Sequence, residues 1–214
     1  MRWLCRPRAD SGVTLIEVLV SMGLFALIGS LLLGLALSTD SVTASTRARA
    51  GVTEETRTAM ERLSRELRQS AGIDAVTLPG SSMALTFWTD FDGDGLRDTT
   101  AADPEVLTYC WSASSHQLTL AATTDCTAAR PVLAATVESV ALELDSSEWA
   151  YDANGDGTTT WAELDQKGPP VGNQNGLPDS TELAHIDLVG VTLTVRDGSS
   201  EQTYHTQIDL RNRS

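Results

Sequence analysis

From Val18 to Thr39 the chain runs 22 residues without a charge, and apolar side chains fall on every side of a helical wheel. Such a run is long enough to cross a bilayer as a helix. Beyond it the pattern becomes one-sided. Ala48, Val52, Ala59, Leu63, Leu67 and Ala71 recur at four-residue spacing or a multiple of it, an apolar stripe on an otherwise polar helix. Arg57 with Glu61, and Glu61 with Arg65, make i,i+4 pairs away from the stripe. Gly72 is a suitable stop. These signals predict one helix from Val13 to Ala71, roughly 85–90 Å long at 1.5 Å per residue, of which about 30 Å fits the bilayer core.

From Ile73 the period shortens toward two. Strands are predicted at Met83–Trp88, Glu105–Ser112, Gln117–Ala122 and Val137–Leu144. The clearest alternation is Val189, Val191, Leu193 and Val195, followed by the turn Asp197-Gly198 and by Tyr204, Thr206, Ile208 and Leu210. The fold class expected is α+β: a long helix whose second half packs on an antiparallel β-sheet. Four parts follow in order: a leader at 1–12, an apolar helical half at 13–39, an amphipathic half at 40–72, and a globular β domain at 73–214. A polar insertion at about 145–185, rich in Asp, Gly, Asn and Pro, is too long for a bare connection and needs something to order it.

Charge divides the chain at the leader. Arg2, Arg6, Arg8 and Asp10 precede Gly12, so 12 of the 15 basic and 28 of the 29 acidic residues lie beyond it. That acidic excess repels nucleic acid and anionic headgroups, suits cations and basic partners, and also serves plain solubility. Arginine before the apolar run and Asp40 after it place the N-terminus in the cytoplasm and the remainder across the membrane. Removing the leader removes Cys5 and leaves Cys110 and Cys126. Their flanks read as two strands joined through Ser112–Gln117, so the thiols can meet; a disulfide and two buried thiols both fit.

Gly12-Val13-Thr14-Leu15-Ile16-Glu17-Val18-Leu19-Val20 opens the apolar run. A carboxylate at Glu17 is costly inside a membrane. The order glycine, hydrophobic residue, Thr-Leu-Ile-Glu and uncharged run resembles the N-terminus of type IV pilin-like proteins (prepilins), with Val13 where that family usually has Phe. The resemblance implies cleavage between Gly12 and Val13 by a prepilin peptidase, methylation of the new N-terminus, and an assembly role for Glu17. It also implies an inner-membrane, single-pass protein with an extracytoplasmic domain. A secretory signal is disfavoured because no A-x-A site follows the apolar run, and a lipoprotein because no apolar run precedes Cys5. A plain signal-anchor helix leaves Gly12 and Glu17 unexplained.

Three acidic loops carry the other chemistry. Residues 152–163 match the twelve-residue EF-hand loop at each liganding position: Asp152, Asn154 and Asp156, then Thr158 through its carbonyl, Thr160, and Glu163 as the bidentate carboxylate, with Gly157 at the turn. Thr159 stands where such loops are commonly aliphatic. Hard Ca²⁺ takes six to eight oxygens, and this spacing wraps them around one point. A second candidate uses Asp90, Asp92, Asp94, Leu96 and Asp98; its twelfth position is Ala101, with Asp103 as a possible substitute. A third stretch, Asn173 to Glu182, is a degenerate echo with Val171 in the first position. Solvated acidic turns are the alternative in each case.

No catalytic constellation is visible. His116, His185 and His205 lack metal spacing, and there is no nucleophile turn or phosphate-binding glycine loop. Arg62-Leu63-Ser64-Arg65-Glu66-Leu67-Arg68-Gln69 and the terminal Ile208-Asp209-Leu210-Arg211-Asn212-Arg213 add a softer resemblance, to minor pilins of the PilW kind and J-type minor pseudopilins of type II secretion. The function implied is a non-enzymatic minor subunit of a pilus-like or pseudopilus filament, at the tip or in initiation, with calcium as cofactor. Its partners would be other pilin-like subunits, through the helix, and the peptidase. The alternatives are a membrane-anchored, calcium-dependent binding or adhesion protein that does not polymerise, and an enzyme on a pilin-like anchor.

Overall fold

The computed structural model describes residues 13–78, 80–98, 104–198 and 200–210, without the side chains of Ala48 and Trp149. The leader with Gly12, the positions Ala101 and Asp103, and Arg211 to Arg213 lie outside the described residues. Two compact units meet between Ala48 and Arg49. Helix α1, Leu15–Gln69, enters both.

In the first unit α1 is uncharged from Val18 to Thr39 and exposed as far as Val42: Leu19, Phe25, Ile28, Leu31 and Leu35 all face outward. Its most apolar 18-residue window has a mean hydropathy of 2.4, apolar enough and long enough to cross a membrane. Hydroxyls within it bond to carbonyls one turn back, as Ser21 does to Glu17 O (2.7 Å) and Ser30 to Leu27 O (2.8 Å), so their polar groups are satisfied along the helix itself.

In the second unit the amphipathic stripe is buried as its spacing requires. Ala59, Met60, Leu63 and Leu67 enter the core, Val52 is half-buried, and Thr56 shares the face with its hydroxyl bonded to Val52 O (2.7 Å). Ser70 caps the end, its hydroxyl bonding Leu67 O (2.7 Å).

Where one sheet is expected, two form. The first is a meander of β1 (Gly72–Thr77), β2 (Ser82–Trp88), β3 (Val106–Ser112), β4 (Gln117–Ala121) and β5 (Arg130–Pro131), each strand antiparallel to its neighbour. The second comprises β6 (Thr136–Ser146), β7 (Thr159–Thr160), β8 (Leu188–Asp197) and β9 (Ser200–Asp209), in the order β7-β6-β8-β9. Pro131 has no N–H to extend a ladder, so the first sheet ends there and β6 starts another. The break is bridged by the Trp111 indole N–H, which bonds Val137 O (3.0 Å), and by Val137 N–H on His116 O (2.9 Å). Leu85, Phe87 and Tyr109 of one sheet and Val140, Val191, Leu193 and Ile208 of the other close on the helix stripe in a single core.

Tyr109 is fully buried, and its hydroxyl donates to Glu66 Oε2 on α1 (2.6 Å). Burial, with the adjacent Glu66 carboxylate, holds that phenol well above its ordinary value. Cys110 and Cys126 are joined, Cα atoms 6.0 Å apart, so the disulfide is the alternative that forms. A loop of that size stabilises by about 3 kcal/mol in the chain-entropy picture.

The insertion is ordered by short elements of its own: a 3₁₀ turn at Trp149–Tyr151, β7, α2 (Trp161–Lys167) and α3 (Ser180–Leu183). Leu164, Val171 and Leu183 anchor it in the core.

Candidate functional site

The 152–163 loop folds around its two end carboxylates. Asp152 accepts from Gly155 N–H (2.7 Å) and Gly157 N–H (2.9 Å). Glu163 spans the loop: Oε1 accepts from Ala153 and Asn154 N–H (3.1 and 3.3 Å), Oε2 from Thr160 N–H (2.9 Å). Asn154 Oδ1 and Asp156 Oδ1 accept from the N–H two residues on, at Asp156 (2.8 Å) and Thr158 (2.9 Å). Thr160 caps α2 in a capping box with Glu163, so the last carboxylate is fixed by the helix that follows. Thr159 is fully buried in β7 and pairs with Ser146 of β6. Sheet pairing therefore occupies the position that is aliphatic in other such loops.

The 90–98 loop repeats this geometry. Asp90 accepts from Gly93 (2.7 Å) and Gly95 (3.1 Å), Asp92 from Asp94 N–H (3.1 Å), and Asp94 from Leu96 N–H (2.7 Å). Ala101 and Asp103 lie outside the described residues; among those described, the closing carboxylate is that of Glu105. Its Oε1 accepts from Phe91 N–H (2.8 Å) and its Oε2 from Asp98 N–H (2.9 Å). Glu105 is only 2% exposed and stands immediately before β3, whose first residue is Val106.

The third loop is no mere echo. Val171 is buried in the core, and Asp165 from the C-terminal part of α2 takes the first position, accepting from Asn175 (3.0 Å) and Gly176 (2.9 Å). Glu182 closes the loop, accepting from Asn173 (3.1 Å) and Asp179 (3.0 Å). Asn173 and Asn175 repeat the bonds to the N–H two residues on (3.1 and 2.7 Å), and Asp179 makes the capping box with Glu182. It engages its own Glu182; Glu163 is bound within the first loop.

The turn residue of each loop, Gly157, Gly95 and Gly176, has φ of 90°, 73° and 74°. This is backbone that a side chain disfavours. The glutamates that close the loops are all largely buried: Glu105 2%, Glu163 9% and Glu182 0% exposed.

Electrostatics differ among the three. Among the described residues, Asp90, Asp92 and Asp94 are the one trio of acidic groups with ligand atoms all within 4.8 Å; the carboxylates of 152–163 are not drawn so close. At Asp92 the Asp94 N–H pulls the carboxyl down, but burial and the carboxylates of Asp94, Glu105 and Asp90 leave it raised overall. Asp156 is lowered by the Thr158 hydroxyl and N–H, and Asp179 chiefly by Thr181 N–H. Burial raises Glu182. These oxygen-only donor sets fit a hard cation such as Ca²⁺, whose charge would offset the carboxylate repulsion. The residues that could hold it are Asp152, Asn154, Asp156, Thr158, Thr160 and Glu163; Asp90, Asp92, Asp94, Leu96, Asp98 and Glu105; and Asp165, Asn173, Asn175, Asp179 and Glu182.

At the other end of the chain, Val13 and Thr14 precede the helix and Thr14 caps it. Glu17 N–H bonds Thr14 O (3.0 Å) and Thr14 Oγ1 (3.4 Å). Glu17 thus occupies the first helical turn, where the partial positive end of the helix favours a carboxylate.

Residues 7–36 match the family model described as the prokaryotic N-terminal methylation motif. No curated protein and no solved structure matches the chain. The matched motif supports a type IV pilin-like N-terminus, implies processing by a prepilin peptidase and assembly with other pilins, and is compatible with anchoring in the inner membrane.

Proposed function

We propose that the chain is a minor subunit of a type IV pilus-like or type II secretion pseudopilus filament, placed at the tip or in initiation. The observation that carries this is the methylation motif at residues 7–36 with Glu17 in the first turn of an exposed apolar helix. The peptidase cuts between Gly12 and Val13 from the cytoplasmic side, and the domain that begins beyond α1 stands outside the inner membrane. Glu17, costly in lipid, gains by pairing with the N-terminal amine of a neighbouring subunit, and that pairing sets the register of assembly. No catalytic role is proposed. Three bulky acidic loops on one subunit favour a minor component, since such a domain is hard to repeat along a filament.

The second part of the proposal is that Ca²⁺ orders the acidic loops, holding the insertion on the domain. The support is the common pattern of first and last carboxylates in all three.

The assembly reading is tested in cells by immunoblot and filament shearing. Glu17→Ala is expected to be cleaved normally but missing from filaments, and Gly12→Trp to remain uncleaved. Normal incorporation of the Glu17→Ala protein would remove the proposed role of Glu17, whereas absence of the wild-type chain from sheared filaments would leave a membrane-anchored, calcium-dependent binding module that does not polymerise as the better reading.

A further inference from the structure

The outermost strands of the two sheets are β1, β5, β7 and β9, with β7 covering only Asp145 and Ser146 of β6, and three of the four are short or irregular. β5 is two residues long and contains Pro131. β7 is two residues long. β1 has an irregular register between Ile73 and Ala75. Short strands, proline and bulges are the devices that keep edges from pairing with other chains.

β9 has none of them. Its ten residues pair with β8 without a register shift from Leu188 with Asp209 to Asp197 with Ser200, and it holds no proline and no lysine. Leu210 N–H bonds Asp187 O (2.8 Å), in register with the β8–β9 ladder. The alternation of an antiparallel pair then sends the N–H and C=O of Gln202, Tyr204, Thr206 and Ile208 to β8. It leaves those of Glu201, Thr203, His205 and Gln207 on the open side.

A groove of about 810 Å³ runs between this edge and α1, lined by Arg57, Ser64, Arg65, Arg68, Tyr204 and His205 among others. Arg57 is paired with Glu61 (3.1 Å). Arg65 and Arg68 are exposed and make no ion pair among the described residues; Glu61 is taken by Arg57, so the Glu61–Arg65 pair that the spacing predicts does not form. The positive rim belongs to a chain of net charge −14.

We infer that β9 and this groove receive an extended acidic segment of a partner protein, which adds a strand to the edge and directs carboxylates at Arg65 and Arg68. The backbone edge selects a peptide, because alternating donors and acceptors at strand spacing are matched only by another extended chain. The arginines select acidity. A second copy of the chain pairing β9 on β9 brings like-charged rims together, which disfavours it. The inference stands on the globular domain alone and does not depend on the proposed assembly role.

The test uses the full chain in detergent micelles and a fluorescent ten-residue peptide alternating Val and Glu, read by anisotropy. Saturable binding is expected, weakened at least tenfold by Arg65→Glu/Arg68→Glu and by His205→Pro. The arginine pair is exposed, so that variant keeps its fold; His205→Pro removes an outward N–H and leaves the β8 ladder intact. The corresponding Val-Lys peptide is expected not to bind. Absence of Val-Glu binding, or binding that neither variant weakens, overturns the inference. Dimerisation of the chain abolished by His205→Pro would give the edge to a second copy. Binding to phosphatidylglycerol vesicles, lost in the arginine variant and kept in His205→Pro, would give the rim to lipid.

Discussion

Glu105 and Asp165 each serve a loop from outside the twelve-residue spacing. A linear pattern finds the side chains that fold a loop only when one uninterrupted turn supplies them. The part that Asp90, Asp92 and Asp94 take in folding their loop through N–H bonds was legible for that reason, as was that of Asp152, Asn154, Asp156 and Glu163. That of Glu105 was not, because extra residues separate it from Asp98 and its place beside β3 reads as the start of a strand. One signal was available: Thr160 with Glu163 and Asp179 with Glu182 have the same spacing, a polar cap three residues before a glutamate, so the third loop had a closing carboxylate in plain sequence. Asp125 illustrates a different residue-scale effect, beside Cys126 in the disulfide loop. It accepts from the Thr127 N–H (3.0 Å), the Thr127 hydroxyl (2.5 Å) and the Thr123 hydroxyl (3.2 Å). The Thr127 hydroxyl leads in lowering its carboxyl, followed by the Thr127 N–H. A depressed folded value means that its stabilisation is fully present above the unfolded carboxyl value, about 3.9, and is lost as pH falls through the folded one. Asp125→Ala is therefore expected to melt slightly below wild type at pH 7, with the gap closing at the most acidic pH values. A gap that stays constant with pH would show that the carboxylate charge is not its source.

At the scale of elements, strong periodicity was sufficient. The helix, β2, β3, β4, β6, β8 and β9 lie where alternation or the four-residue stripe places them, with ends displaced by a few residues. What periodicity missed were β5 and β7, two residues each, the weakly patterned β1, and the partition into two sheets. Such elements are fixed by what they meet rather than by their own pattern. β7 exists because β6 extends to Ser146 and offers Thr159 a partner. The third loop likewise depends on a close approach between elements. A Cβ at Gly172 would lie 2.1 Å from Leu164 O and 2.6 Å from Asp165 Cα, so the chain can cross the end of α2 only as glycine. That crossing brings Asn175 and Gly176 N–H to the Asp165 carboxylate. Gly172→Ala is expected to push the loop off α2 and destabilise by about 1–3 kcal/mol, the usual range for overpacking against a fixed neighbour. Chemical denaturation gives the loss, and amide exchange at Asn175 and Gly176 is expected to accelerate beyond that of β8. Wild-type protection at both amides would contradict the crossing as the cause.

For the molecule as a whole, acidity and architecture bear on one quantity, the stability of the globular domain. Its two sheets and the C-terminal half of α1 share one core, whereas the insertion meets that core chiefly through Leu164, Val171 and Leu183. Beyond these and the short β6–β7 pairing, much of the insertion is held by backbone N–H groups bonding to carboxylates that repel one another. A cation bound to those oxygens converts repulsion into attraction and stabilises the folded state by mass action. For extracellular-type affinities of about 10⁻⁴–10⁻³ M, 10 mM calcium adds about 1.4–2.7 kcal/mol for each site filled. In a domain of this size that is a rise of about 3–11 °C in melting temperature per site. The three loops are then separable by their closing residues. Glu105→Gln, Glu163→Gln and Glu182→Gln keep one accepting oxygen but turn an NH2 toward N–H groups that the second carboxylate oxygen accepts, so each is expected to melt below wild type in chelator and, beyond that, to lose one site's share of the calcium-induced rise. Glu163 and Glu182 belong to one insertion joined by α2, so their shares are expected to be coupled, the double variant losing less than the two single losses combined. Glu105, on the other sheet, is expected to add independently. Melting with calcium and with chelator that coincides in wild type would show that the loops close on their own N–H groups and need no ion.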